Sequence, residues 1–152
     1  MEKNVIISIK GLQSMEGGGD DRIELVTEGR LTDHGEGGLI LSYQESELTG
    51  MEGTETVLHM DPDGTVTLLR TGQFNSQMIF QQGERHLTLY QTPYGDLAIS
   101  ILAHRIHNTL NMDGGDLEIA YAIEIDNNPI GHNLFQIHVL EDSRTRGIRL
   151  PQ

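Results

Sequence analysis

Apolar and polar residues alternate with a period of two along most of this chain, and that rhythm constrains its fold more than any single motif. In "NVIISIKGLQ", Val5, Ile7 and Ile9 are set against Ser8 and Lys10. In "GDLEIAYAIEID", Leu117, Ile119, Tyr121, Ile123 and Ile125 share one face, with Glu118 and Glu124 on the other. In "HNLFQIHVLE", Phe135, Ile137 and Val139 oppose Gln136 and His138. Successive side chains of a strand point to opposite faces, so this pattern predicts half-buried antiparallel strands. Helical periodicity is hard to find.

Turn signals cut these runs at short intervals: "EGGGDD" at 16–21, "DHGEGG" at 33–38, "LTGMEG" at 48–53, "DPDG" at 61–64, "TGQFNS" at 71–76, "QGER" at 82–85, "TPYGD" at 92–96, "MDGGD" at 112–116 and "DNNPIG" at 126–131. Most join Gly to Asp, Asn or Pro, the residues that accept the backbone angles of tight hairpins. Nine turns leave ten strands, near 3–12, 22–32, 38–48, 54–60, 65–71, 75–81, 86–92, 96–111, 116–126 and 133–141. Consecutive strands with short links form a meander, and closing a meander removes exposed edges. A β-sandwich is the competing arrangement, but its Greek-key connections need longer links than most of these. The expectation is all-β: a single antiparallel up-and-down barrel of about eight to ten strands, covering residues 1–142, with 143–152 as a C-terminal tail. A chain of 152 residues is long enough for one domain with a real core.

Three segments, "LSYQESELTGMEGTETVLHM", "VTLLRTGQFNSQMIFQQGERHLTLYQTPYGDLAISI" and "GGDLEIAYAIEIDN", carry a resemblance. Their ordered motifs are Tyr-x-Glu, Arg-x-Gly, Phe-x-x-Gly, Thr-Pro-Tyr-Gly and a late Tyr. In that order they resemble a family of small, uncharacterised bacterial proteins with calycin-like β-barrels, related in architecture to lipocalins and fatty-acid-binding proteins. The resemblance spans nearly the whole chain. It implies a closed or nearly closed barrel and assigns no activity.

The formal charge of −13 and pI near 4.7 make an acidic surface. Such a surface repels phosphate backbones and anionic lipid, so neither nucleic acid nor a membrane surface is an expected partner. Arg144, Arg146 and Arg149 form the one basic cluster, read as a solvated terminal segment. The absence of cysteine excludes disulfides and thiolate metal sites. No apolar run approaches the ~18 to 20 residues that span a membrane. "MEKNVIISIKG" is too short in apolar residues for a signal peptide and lacks a cleavage site, so a cytoplasmic location is the default expectation.

Asp61 and Asp63 before Gly64 look at first like a calcium loop. Placing Asp61 at position 1 of an EF-hand puts Thr65 at position 5, Val66 at 6 and Gly72 at 12, so the ligand set fails. A hairpin tip, with Pro62 and Gly64 in turn positions, fits better. Of the histidines His34, His59, His86, His104, His107, His132 and His138, the "HRIH" pair sits three apart, which on a strand means opposite faces. No metal site or cofactor is implied. Ser8, Ser42, Ser46 and Ser100 lie in alternating segments without a nucleophile elbow. "EGGGDD" lacks the Lys and following helix of a phosphate loop.

Arg70 is the sharper feature. It shares a face with Val66 and Leu68, while Glu45 shares one with Leu39, Leu41 and Tyr43. If both faces point into a barrel, a cation and an acid enter the interior and need each other or a ligand. Alternatively, Arg70 snorkels to the rim beside Gly72 and pairs with Glu45 or surface acid. Tyr121 lies on the clearest inward face, and Tyr90 and Tyr94 are read as packing residues.

The leading expectation is therefore non-catalytic binding of a small apolar or amphipathic ligand in the barrel, with Tyr43, Glu45, Arg70 and Tyr121 orienting its polar end. A filled-barrel structural protein acting through loops or an edge strand, or as a homodimer, is the alternative. An enzyme would need an acid–base constellation, and Glu45 with His59 or His104 is the available one.

Overall fold

The computed structural model describes residues 1–15, 18–92, 95–125 and 128–142. The alternating segments form ten strands: β1 (Glu2–Met15), β2 (Asp20–Gly35), β3 (Gly38–Gln44), β4 (Thr54–Met60), β5 (Val66–Gly72), β6 (Ser76–Phe80), β7 (Arg85–Thr92), β8 (Gly95–Asn108), β9 (Gly115–Ile125) and β10 (Asn128–Glu141). They pair antiparallel in one sheet of order β6-β5-β4-β3-β2-β1-β10-β9-β8-β7. Each strand neighbours the next in sequence except at β6 and β7, and β1 also pairs with β10. The ladder therefore ends at β6 and β7, which follow one another in the chain. Across that seam the Thr88 hydroxyl donates to the Gln77 carbonyl. Nearby, Gln82 Oε1 accepts from the Ile106 N–H at 2.8 Å. The result is an all-β, nearly closed barrel.

β1 and β2 run up to three residues beyond their expected ends, to Met15 and Gly35, and three other boundaries differ for a clear local reason. β3 stops at Gln44 rather than near residue 48, because "SELTG" closes a single 3-10 turn. Ser46 caps that turn by accepting from the Leu48 N–H at 3.2 Å, so it lies in a turn and not in a strand. β8 ends at Asn108, and Asn111 pairs with Gly114 in the link that follows. β10 starts early, at Asn128, inside the expected turn. A register shift between Pro129 and Gly131 accommodates the proline, which has no N–H to give to a ladder.

The inward positions bury one another in a single cluster. Val5, Ile7 and Ile9 of β1 meet Leu31, Leu39, Leu41, Leu58, Leu68 and Phe80 on one side. On the other they meet Ile99, Ile101, Leu117, Ile119, Ile137 and Val139. Tyr121, Ile123 and Ile125 pack against this core as the alternation predicted. β8 keeps its inward phase past Ala103 only through a bulge between Ala103 and Arg105, after which Ile106 pairs with Ile119. The same bulge interrupts the alternation around His104 and His107. Both are exposed, instead of lying on opposite faces as their spacing suggested.

Candidate functional site

The β4–β5 hairpin sets the register of the candidate site. At its tip the Gly64 N–H donates to the Asp61 carbonyl at 3.0 Å, with Gly64 at φ 96°. The Thr65 N–H donates to Asp63 at 2.9 Å, and this bond holds the Asp63 carboxyl below its ordinary range. Both aspartates thus shape a turn. Counting back from the tip, Thr56 faces Arg70. Pairing extends this into one inner-face row across five strands: Gly29, Tyr43, Thr56, Arg70 and Ser76.

Two glycines make the row possible. Gly29 sits beside Tyr43, and a Cβ there would lie 2.5 Å from the Ser42 carbonyl oxygen. Gly72, at φ 128°, lets the end of β5 approach the start of β4, where any Cβ would collide with the Gly53 carbonyl. Asn75 then clamps the β5–β6 turn, accepting from the Gly72 N–H at 3.1 Å and donating to its carbonyl at 3.0 Å. This clamp brings Ser76 opposite Arg70.

Glu45 continues the inward phase of β3 one step past Tyr43, held by its N–H to the Thr54 carbonyl at 2.8 Å. Its carboxylate accepts from Thr49 Oγ1 at 3.0 Å and from the Thr56 hydroxyl. Arg70 Nε lies 3.8 Å from Glu45 Oε2. Their side chains are 14% and 3% exposed, so both are largely buried at this end of the barrel and Glu45 is the acid that answers the charge of Arg70. That separation is an ion pair without a hydrogen bond. Arg70 Nε and Ser76 Oγ are buried with no hydrogen-bond partner. Burial pushes the Tyr43 phenol well above its ordinary pKa, and the neighbouring Glu45 charge adds to the shift.

Tyr43, Glu45 and Arg70 are therefore brought together, and Tyr121 is not. Tyr121 packs edge-on against Phe80, with ring centroids 4.9 Å apart. Phe80 lies four residues along β6 from Ser76, roughly 13 Å at strand rise. Thr49, Thr56 and Ser76 belong to the cluster but gave no signal beyond being small polar residues in alternating or turn segments. Cross-strand register, which sequence does not show, is what collects them. Tyr94, Arg144, Arg146 and Arg149, and the side chains of His34 and Tyr90, lie outside the described residues.

The acid–base pairings available from sequence are not assembled. His59 projects outward between the buried Leu58 and Met60, 3.6 Å from Asp61. His104 stacks on His132 at 5.9 Å on the outer surface. Among the described residues no group of His, Asp and Glu could hold a metal ion. The outer face of β1, β10, β9 and β8 carries a groove of about 360 Å³ that includes Ser8, Lys10, Glu118, Gln136 and His138. There His138 Nδ1 meets Asp116 Oδ1 at 2.7 Å, with side chains 48% and 60% exposed. Two carboxylates on this side of the barrel, Glu118 and Glu124, are held below their ordinary range. Glu118 is lowered first by its bond from Gln136 and also by Arg105. Glu124 is lowered first by its bond from Arg85.

Residues 7–137 match the family described as "Domain of unknown function (DUF1934)", and the chain belongs to that family. No curated protein matches it in sequence. The crystal structure of the ywiB protein from Bacillus subtilis is similar, with a TM-score of 0.80 and 20% identity over 93% of each chain. At that identity the likeness shows the barrel fold alone. No helix among the described residues is long and apolar enough to cross a membrane.

Proposed function

We propose that the protein is a non-catalytic binding protein of the calycin type, taking one small, partly apolar ligand at the end of the barrel where Tyr43, Glu45 and Arg70 meet. The observation that carries this reading is Arg70: a cation on an apolar strand face, with its Nε buried and lacking an acceptor. Buried polar groups are almost always hydrogen-bonded, so such a group marks a place where an acceptor belongs. The next inward row is Leu41, Leu58, Leu68 and Met78, an apolar floor for the rest of the ligand. Met78 is an adaptable side chain that can repack around a guest. The separation of Glu45 from the outward-facing His59 and His104 supports binding rather than acid–base chemistry.

Native mass spectrometry of the protein as purified tests this. The expected result is an adduct below about 500 Da that is lost in Arg70→Met, in keeping with a drug-sized site. A chain free of adduct, whose melting temperature does not rise with any of a panel of amphipathic compounds, would overturn it.

A second reading, a filled-barrel scaffold that meets partners through an edge strand, draws on Leu87 and Leu89. They are 78% and 49% exposed on β7, the strand at one end of the ladder. Edge strands with exposed apolar residues invite pairing. Light scattering that shows a dimer dispersed by Leu87→Lys would favour it, and a monomer at all concentrations would count against it.

A further inference from the structure

We infer that the ligand's polar end is an uncharged hydrogen-bond acceptor, such as an amide, ketone or ester carbonyl, and not a carboxylate. This rests on the binding reading above and concerns the same end of the barrel. Arg70 and Ser76 are direct cross-strand partners on the inner face, so their Cβ atoms sit roughly 5 Å apart. Of the two orphaned atoms, Arg70 Nε can only donate and the Ser76 hydroxyl can donate as well as accept. Neighbouring donors on one row can converge on a single oxygen with two lone pairs.

The charge of that oxygen is set by Glu45. The carboxylate is 3.8 Å from Arg70 Nε and nearly fully buried, so it already supplies the anion that Arg70 needs. Thr49 and Thr56 donate to its two oxygens, so it is held as an acceptor with little freedom to move away. A second carboxylate beside it would place two like charges in one partly desolvated site, which is strongly unfavourable. A neutral carbonyl satisfies both donors without adding charge. Glu45 thus acts as a selectivity residue, rejecting acids rather than contacting the ligand directly.

The test uses chain-matched probes, octanamide, octan-2-one and octanoate, titrated into the full-length protein at pH 7.5 by calorimetry and by backbone amide shifts. The amide and ketone are expected to bind at least about tenfold more tightly than the acid, a difference that calorimetry resolves easily. Ser76→Ala and Arg70→Met should weaken the neutral probes. Glu45→Gln, close to isosteric and checked for folding by its melting profile, should reverse the order and favour octanoate. That reversal is a readout that a merely structural Glu45 would not give. If octanoate binds as well as octanamide, or Glu45→Gln leaves the order unchanged, the inference is wrong while the binding reading stands. If no probe shifts residues of the Tyr43–Ser76 row, and ordered water alone fills the two donors in a crystal structure, both are wrong.

Discussion

Arg70 Nε stands 3.8 Å from Glu45 Oε2 on the inner face of the barrel, while both oxygens of that carboxylate already accept from threonine hydroxyls. Removing the cation alone leaves an acid whose side chain is 3% exposed without its counter-charge. Breaking a buried pair typically costs about 3–5 kcal/mol, and the partial openness of Arg70 points to the lower end. Arg70→Met should therefore destabilise the fold by about 3 kcal/mol in urea unfolding, whereas Arg70→Met/Glu45→Gln should recover much of that loss. Additive effects of the two substitutions in the double-mutant cycle would show that the pair is not coupled.

Gly29 and Gly11 offer a controlled comparison within neighbouring strands. A Cβ at Gly29 meets the Ser42 carbonyl oxygen at 2.5 Å and the Ile7 Cδ1 methyl on the other side, and the backbone oxygen cannot swing aside as the Ile7 side chain can. A Cβ at Gly11 meets nothing within 4 Å. Gly29→Ala should cost about 1–3 kcal/mol, as overpacking does. Gly11→Ala should be near neutral. Equal midpoints for the two variants in denaturant would contradict the close approach of β2 to β3 beside Tyr43.

The period-two pattern was enough to read the strands because each has one face on the core, as with Val5, Ile7 and Ile9. Glycine-centred turns then fixed the connections. What sequence could not show was register. Thr56 and Ser76 join Arg70 only because β4 and β6 pair with β5 at particular residues, and a slip of one would turn them outward. Tyr121 looked equivalent to Tyr43 on its face pattern, yet depth along the barrel separates them. Boundaries failed where side chains compete with the ladder: Ser46 caps a turn, and Pro129 forces a register shift. The phase at His104 and His107 failed because a bulge is invisible to strict alternation.

On the outer surface, Arg85 Nε donates to Glu124 Oε1 at 2.7 Å and its Nη2 to Oε2 at 3.3 Å. These bonds hold the Glu124 carboxyl below its ordinary value of 4.5. A carboxyl lowered on folding stabilises the native state above its unfolded pKa, and this contribution is lost as pH falls through the folded value. Stability should therefore decline as pH drops from about 5 toward 3. Glu124→Gln should make that decline shallower and also lower stability near neutral pH, because the Glu124 side chain is 8% exposed while Arg85 is half exposed. Urea midpoints taken every half unit of pH check this, and parallel acid limbs for the two proteins would refute it.

Tyr43 governs the opposite limb. Its ring is 5% exposed in the barrel, and burial, with the Glu45 carboxylate beside it, raises the phenol above its ordinary value of 10.0. A raised pKa means that the folded state prefers the neutral phenol. The resulting stabilisation is complete below the unfolded value and is withdrawn as pH climbs through and beyond it, when the unfolded chain ionises and the folded one resists. The native protein should therefore lose stability steeply above pH 10, and Tyr43→Phe should lose it less steeply. At neutral pH the same substitution leaves a buried site without its polar hydroxyl and should change stability by no more than about 1 kcal/mol. Tyrosinate absorbance supplies an independent view, because Tyr43 should ionise only as the fold gives way, in step with the loss of the far-ultraviolet strand signal. A phenol that titrates fully while that signal is intact would place Tyr43 in contact with solvent and remove it from the inner row.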